Sequence, residues 1–138
     1  MRIGLGTLGM GVALALAGGP AGNAAPDPLA AHRWHARVLV LAAPDGDDAR
    51  LKAQREAVAA AQLDFSERDL VVVDAVGPGA EAAALRRRLG LPEAEFRAVL
   101  VGKDGEAKIT ASEPIPPERL FATIDAMPMR RDEMRSRR

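Results

Sequence analysis

The hydrophobic positions of this chain fall into blocks whose periods change along its length. Arg37-Val-Leu-Val-Leu-Ala-Ala43 is a continuous apolar run rich in branched residues. A run with no polar alternation marks a strand buried on both faces, as in a parallel sheet. Leu70-Val-Val-Val-Asp-Ala-Val76 is a second such run, bounded by Gly77-Pro78-Gly79. Between them Pro44-Asp45-Gly46-Asp47 breaks the chain, and Asp47 or Asp48 is placed to cap a helix reaching Ala61 or Phe65. Leu51, Val58, Ala61 and Phe65 share one face of that helix, with Arg50, Lys52, Arg55 and Glu56 outside.

A helix over Ala80 to Leu89 follows, with Ala82, Leu85 and Leu89 inward, Arg86, Arg87 and Arg88 on the rim and Gly90 as C-cap. Phe96 to Gly102 is a third strand. Lys103-Asp-Gly-Glu106 is a tight turn with the Asp-Gly pair that hairpins favour, and Ala107 to Ala111 is a fourth strand, antiparallel to the third. Pro114, Pro116 and Pro117 end the sheet. Pro117 suits the first turn of a helix burying Leu120, Phe121, Ile124 and Met127. Pro128 interrupts that helix, and residues 129–138 form a basic C-terminal tail. The expected fold is α/β, ordered β-α-β-α-β-β-α around a central four-stranded mixed sheet.

Residues 1–24 are different in kind. Arg2 is followed by an uncharged apolar stretch, Ile3 to Ala17, and then by small residues up to Ala24-Ala25. This is the layout of a secretory signal peptide, with cleavage after Ala24 favoured over Ala25, which would leave Pro26 terminal. The apolar stretch is too short for a retained anchor, which needs about 20 apolar residues. The expected organisation is a signal peptide over 1–24, a leader over 25–36, a domain over 37–128 and the tail. The expected location is periplasmic or extracellular, with no membrane span after cleavage.

Composition narrows the chemistry. Lys+Arg 19 and Asp+Glu 19 cancel, so no global charge points to nucleic acid or membrane; cleavage would remove only Arg2, leaving one net negative charge. The sequence contains no cysteine. Thiol nucleophiles, disulfides, thiolate metal sites and iron–sulfur clusters are therefore excluded.

The predicted order is that of the thioredoxin core. Four stretches resemble a particular family with that fold, domain of unknown function 4174: Trp34 to Pro44, Glu67 to Val73, Phe96 to Lys108 and Leu120 to Met134. The resemblance implies a thioredoxin-like fold and a small, secreted bacterial protein, and brings no established activity. Redox thioredoxins place Cys-x-x-Cys between the first strand and the first helix, where this chain reads Ala43-Pro-Asp-Gly-Asp-Asp48. The proline that faces those thiols would precede the third strand, and Glu95 and Phe96 stand there instead.

Candidate sites are few. Asp45, Asp47, Asp48 and Asp74 can converge at the carboxyl edge of the sheet as hard ligands for Ca²⁺ or Mg²⁺, or serve as turn and cap residues. His32 and His35 flank Trp34 and offer two imidazoles to a transition metal, or face solvent while Trp34 covers one end of the sheet. Met127, Met129 and Met134 offer thioethers for Cu(I), although packing explains Met127 equally well. Glu67-Arg68-Asp69 reads as a charged turn with a local ion pair. Arg130, Arg131, Arg135, Arg137 and Arg138, with Trp34, are the candidate interaction residues, and four aromatics in the whole chain leave no platform for single-stranded nucleic acid. No catalytic residue, cofactor or sequence-specific nucleic-acid partner is expected. The leading reading is an exported, non-catalytic binding or scaffold module for a protein or envelope component, its oligomeric state open. The alternative is a metal-dependent enzyme or metal-binding protein using the acidic loops.

Overall fold

The computed structural model describes residues 26–137; the expected signal peptide over 1–24 lies outside them, as do Ala25 and Arg138. Four strands, β1 (Arg37–Ala43), β2 (Leu70–Val76), β3 (Arg97–Val101) and β4 (Ala107–Ala111), form one sheet in the order β2-β1-β3-β4. β1 pairs with β2 in parallel and with β3 antiparallel, and β3 pairs antiparallel with β4. The mixed four-stranded α/β architecture is the one the sequence predicts.

β1 lies between two neighbours and under helices on both faces, which is why all seven of its residues are buried. Its side chains alternate between two cores. Leu39, Leu41 and Ala43 pack with Leu51, Val58, Phe65, Leu120 and Ile124 from the helices α1 (Ala49–Ala60), α2 (Gln62–Glu67) and α4 (Pro117–Asp125). Val38, Val40 and Ala42 pack on the other face with Ala82 and Leu85 of α3 (Ala80–Leu89), joined by Leu29 from the segment ahead of β1. Gly90 ends α3 in the left-handed region (φ 68°), as its C-cap role requires.

Three local expectations are corrected, and one that offered two ends for a helix is resolved. β2 is not buried on both faces: it is an edge strand, and Val71 and Val72 are exposed. The apolar run there has the composition of a two-sided strand but lies at the margin of the sheet. Of the two ends expected for the first helix, Ala61 is the one found, as its C-cap (φ −125°, ψ 29°), and Phe65 stands on the separate short α2, turned inward against Phe121 with ring centroids 5.7 Å apart and nearly perpendicular. Arg86 is buried rather than on the rim, because its Nη2 donates to the carbonyls of Ala43 (3.0 Å) and Ala75 (3.1 Å) at the ends of β1 and β2. Pro128 starts a fifth helix, α5 (Pro128–Ser136), as its first residue, where a missing N–H costs nothing. The tail is thus largely helical, and Met127 is the residue before it.

The stretch between β4 and α4 is fixed by one side chain. Gln54 of α1 is fully buried, its Nε2 donating to Ile115 O (3.0 Å) and its Oε1 accepting from Ile115 N (2.6 Å). Gln54→Leu keeps the volume but strands that buried N–H and C=O, so urea unfolding should show a loss of roughly 2–3 kcal/mol. A loss under about 0.5 kcal/mol, within the range of a neutral surface change, would mean that water replaces the amide.

Candidate functional site

At the carboxyl end of β1 each candidate aspartate already has a partner. Asp45 Oδ1 accepts from Asp47 N (2.8 Å), closing the turn. Asp48 caps α1 by accepting from Arg50 N (2.9 Å) and Leu51 N (3.1 Å), the bond its position predicts. Asp74 pairs with Arg55 (2.9 Å), and Asp47 stands 3.9 Å from Lys52. Among the described residues no group of three or more His, Asp or Glu side chains is gathered as a metal would require. His32 and His35 flank Trp34 without a third ligand. Met127 and Met134 are half-buried and Met129 is exposed, all on or beside α5.

The dense chemistry lies at the opposite end of the sheet. Arg37, the first residue of β1, is fully buried, and its Nη1 donates to Arg68 O (2.8 Å) and Glu133 Oε1 (3.1 Å). Its Nη2 donates to Glu133 Oε2 (3.2 Å), so one α5 carboxylate grips the guanidinium with both oxygens. Lys103, just beyond β3, donates its Nζ to Glu133 (2.7 Å) and to Asp69 (2.9 Å). Alongside, Arg68 makes a forked bond to Asp125 (3.0 Å each) and lies 4.4 Å from the Phe121 ring centroid. Arg130, buried on α5, donates to Asp125 (3.0 Å) and Glu67 (2.8 Å).

The Glu67-Arg68-Asp69 segment does turn the chain into β2, with Arg68 also 3.7 Å from Asp64, but that local pair is not all that holds it. Each of its side chains reaches a different distant element, because the segment enters β2 beside the start of β1, where α4 and α5 also converge. Arg130, expected as an interaction residue of the tail, is instead a buried strut. Of the other tail arginines, Arg131 is exposed, Arg135 pairs with Asp132 one turn back, and Arg137 donates to Glu67 O (2.7 Å). Arg138 lies outside the described residues.

Two residues in this region hold left-handed backbone, Trp34 (φ 70°) and Asp69 (φ 49°). For a side chain as large as tryptophan that conformation is uncommon and strained. Trp34 is held in it by its N–H, which donates to Lys103 O (2.6 Å), while its ring stays 55 % exposed with the Arg33 guanidinium 5.1 Å from the ring centroid. Lys103 thus connects the ion cluster, through its ammonium, with the tryptophan, through its carbonyl. None of Arg37, Lys103 or Glu133 stood out as a site residue in the sequence. The available signal was a charge opening a buried strand, which must find a partner.

Burial pushes the Glu133 carboxyl up, but the hydrogen bonds and charges of Arg37 and Lys103 outweigh it and hold the group below its ordinary range. Burial likewise raises Asp125, and Arg68 and Arg130 more than reverse it.

These features define a small α/β domain with a mixed sheet, no thiol chemistry and an ionic cluster at the amino end of its central strand. The chain belongs to the family described as domain of unknown function (DUF4174), whose model matches residues 28–133. Neither a curated protein nor a solved structure matches the chain.

Because Glu133 and Asp125 hold protons less tightly folded than unfolded, they stabilise the protein fully above the unfolded carboxylate range. That stability is lost as pH falls through their lower folded values. Thermal melts should be flat from about pH 7 to 5 and decline below about pH 4. Glu133→Gln should cost roughly 3 kcal/mol at neutral pH, since it leaves Arg37 buried without its counter-charge. The gap from wild type should shrink as pH falls through the lowered range in which the native Glu133 takes up its proton; a gap independent of pH would remove the charge from the explanation.

Proposed function

We propose that this protein is a non-catalytic, thioredoxin-like module, exported to the periplasm or extracellular space, that binds a protein or envelope component through the surface bearing Trp34. The sheet order β2-β1-β3-β4 and the helix positions support the thioredoxin-like reading. The n-, h- and c-region layout of residues 1–24 supports export. Among the described residues no helix is long and apolar enough to cross a membrane. The loop where redox relatives of this fold carry cysteines holds Ala43 to Asp48, its aspartates engaged in a turn and a helix cap.

Trp34 carries the reading. A large aromatic ring is displayed to solvent on a strained backbone, with an arginine stacked on it and an ion cluster fixing the residue that holds it. Tryptophan and arginine are the side chains that most often dominate binding energy at interfaces. The exposed Arg131 on α5 extends the same end of the molecule, since α5 joins Lys103 through Glu133.

Trp34→Gly separates binding from folding. Glycine relieves the left-handed strain, worth about 1–2 kcal/mol, so the variant should melt at or above the wild-type temperature. It should nevertheless lose the partner that wild type captures from the native envelope fraction. Unchanged capture would place the contact elsewhere. In parallel, excess Ca²⁺, Mg²⁺, Zn²⁺ or Cu⁺ should each move the melting temperature by less than about one degree; a shift of several degrees would favour a metal-dependent reading instead.

A further inference from the structure

The central strand ends against a buried arginine at each side, and the two are not equivalent. The charge of Arg37 is balanced by Glu133. Arg86 is only 6 % exposed, yet among the described residues it makes no ion pair. Its Nη2 is committed to the Ala43 and Ala75 carbonyls, its Nε is buried without a partner, and its Nη1 donates to no group among those residues. A buried cation without a counter-charge is costly, so this one calls for an anion. The acids at this end of the sheet do not supply it. Asp45 and Asp48 accept from backbone N–H groups of their own loop and helix, Asp47 stands 3.9 Å from Lys52, and Asp74 pairs with Arg55.

The guanidinium of Arg86 ends beside the start of its own helix. Ala43 O accepts from both Arg86 Nη2 (3.0 Å) and Gly77 N (3.1 Å), which sets the charge against the turn Gly77-Pro78-Gly79. Side chains of a helix lean back toward its first residues, so the reach is natural. Both α1 and α3 begin at this end of the sheet, but their first turns are finished differently. Asp48 accepts from two N–H groups of α1. The N-cap of α3 is Gly79, which has no side chain to accept anything. The first intrahelical bond there runs from Ala83 N to Gly79 O, and among the described residues the N–H groups of Ala80, Glu81 and Ala82 meet no acceptor. Glu81 adds a carboxylate to this turn but is exposed and caps nothing. The turn itself is bare: a side chain at Gly77 or Gly79 would meet no atom within 4 Å.

We propose that the first turn of α3 and the guanidinium of Arg86 together bind the phosphate group of a small ligand. The backbone N–H groups supply directional donors, the helix start favours negative charge, and the buried arginine supplies the counter-charge that the protein does not otherwise use. The bare glycine turn leaves room for the anion to approach the backbone. Three backbone donors and one charged donor match the several oxygens of a phosphate better than the two of a carboxylate. The site stands at the carboxyl end of the sheet, opposite the end that bears Trp34, and is independent of that surface.

The test is a titration of the full, nitrogen-15-labelled chain with inorganic phosphate at constant ionic strength, followed by amide resonances. The Ala80, Glu81 and Ala82 signals should move saturably with a half-effect in the millimolar range, while those of Arg50 and Leu51, already capped, stay in place. Acetate at the same concentrations should move them less. Gly79→Asp gives α3 a carboxylate of its own, at a φ of −65° that any residue adopts. It should raise the melting temperature by a few degrees and abolish the phosphate response. Arg86→Gln, which keeps a donor for the two carbonyls, should weaken the response roughly tenfold or more. If that variant does not fold, the Gly79→Asp comparison still decides. No movement by about 50 mM phosphate overturns the proposal. So does an undiminished response in Gly79→Asp or in folded Arg86→Gln, movement as large at Leu51 as at Glu81, or an equal response to acetate.

Discussion

The guanidinium of Arg37 is the contact on which the rest of the molecule is organised. It opens the central strand, it is fully buried, and a buried charge is tolerated only when paired and hydrogen-bonded. Glu133 supplies the pairing, and doing so fixes α5 to the body. Lys103 shares that carboxylate and is thereby held where its carbonyl receives the Trp34 N–H. Arg37 also takes the Arg68 carbonyl, which steadies the strained entry into β2 at Asp69. A single charge at the head of one strand thus determines the position of a helix, a turn and the exposed tryptophan. One of its own atoms, Nε, has no hydrogen-bond partner, as Arg86 Nε has none at the other end of the strand. The central strand is flanked at both ends by buried arginines.

The two ends nevertheless work by different chemistry. Arg86 meets only backbone carbonyls and tidies the ends of β1 and β2. Arg37 meets carboxylates from a distant helix. At the carboxyl end Asp45 and Asp48 serve a turn and a cap, and Asp74 and Glu113 make exposed pairs with Arg55 and Arg50; at the amino end the acidic side chains tie buried cations to parts of the chain far apart in sequence. The cohesion of the domain comes from two apolar cores, and its directional contacts are concentrated at one end.

How much of this was legible in the sequence depended on whether a contact was local. The strand β1, the Asp48 cap, the Gly90 terminator and the Asp-Gly hairpin all follow from neighbouring residues, and each was readable. β2 was readable as a strand but not as an edge, because Leu70 to Val76 has the composition of a central strand while strand order is a property of the whole chain. Arg86 and Arg130 look like surface arginines on a helix, and nothing near them in sequence names the carbonyls or carboxylates they reach. Likewise the sequence displays Trp34 but not its left-handed backbone, which is set by a carbonyl at position 103.

The pairing of Arg37 with Glu133 closes a loop of 96 positions. Until α5 docks and Glu133 reaches it, the central strand therefore carries an uncompensated charge at its head. Closing so long a loop is slow relative to local pairing. Completion of the native state is therefore gated by the docking of α5. Until that helix is in place, the folding chain stays open at the amino end of its sheet.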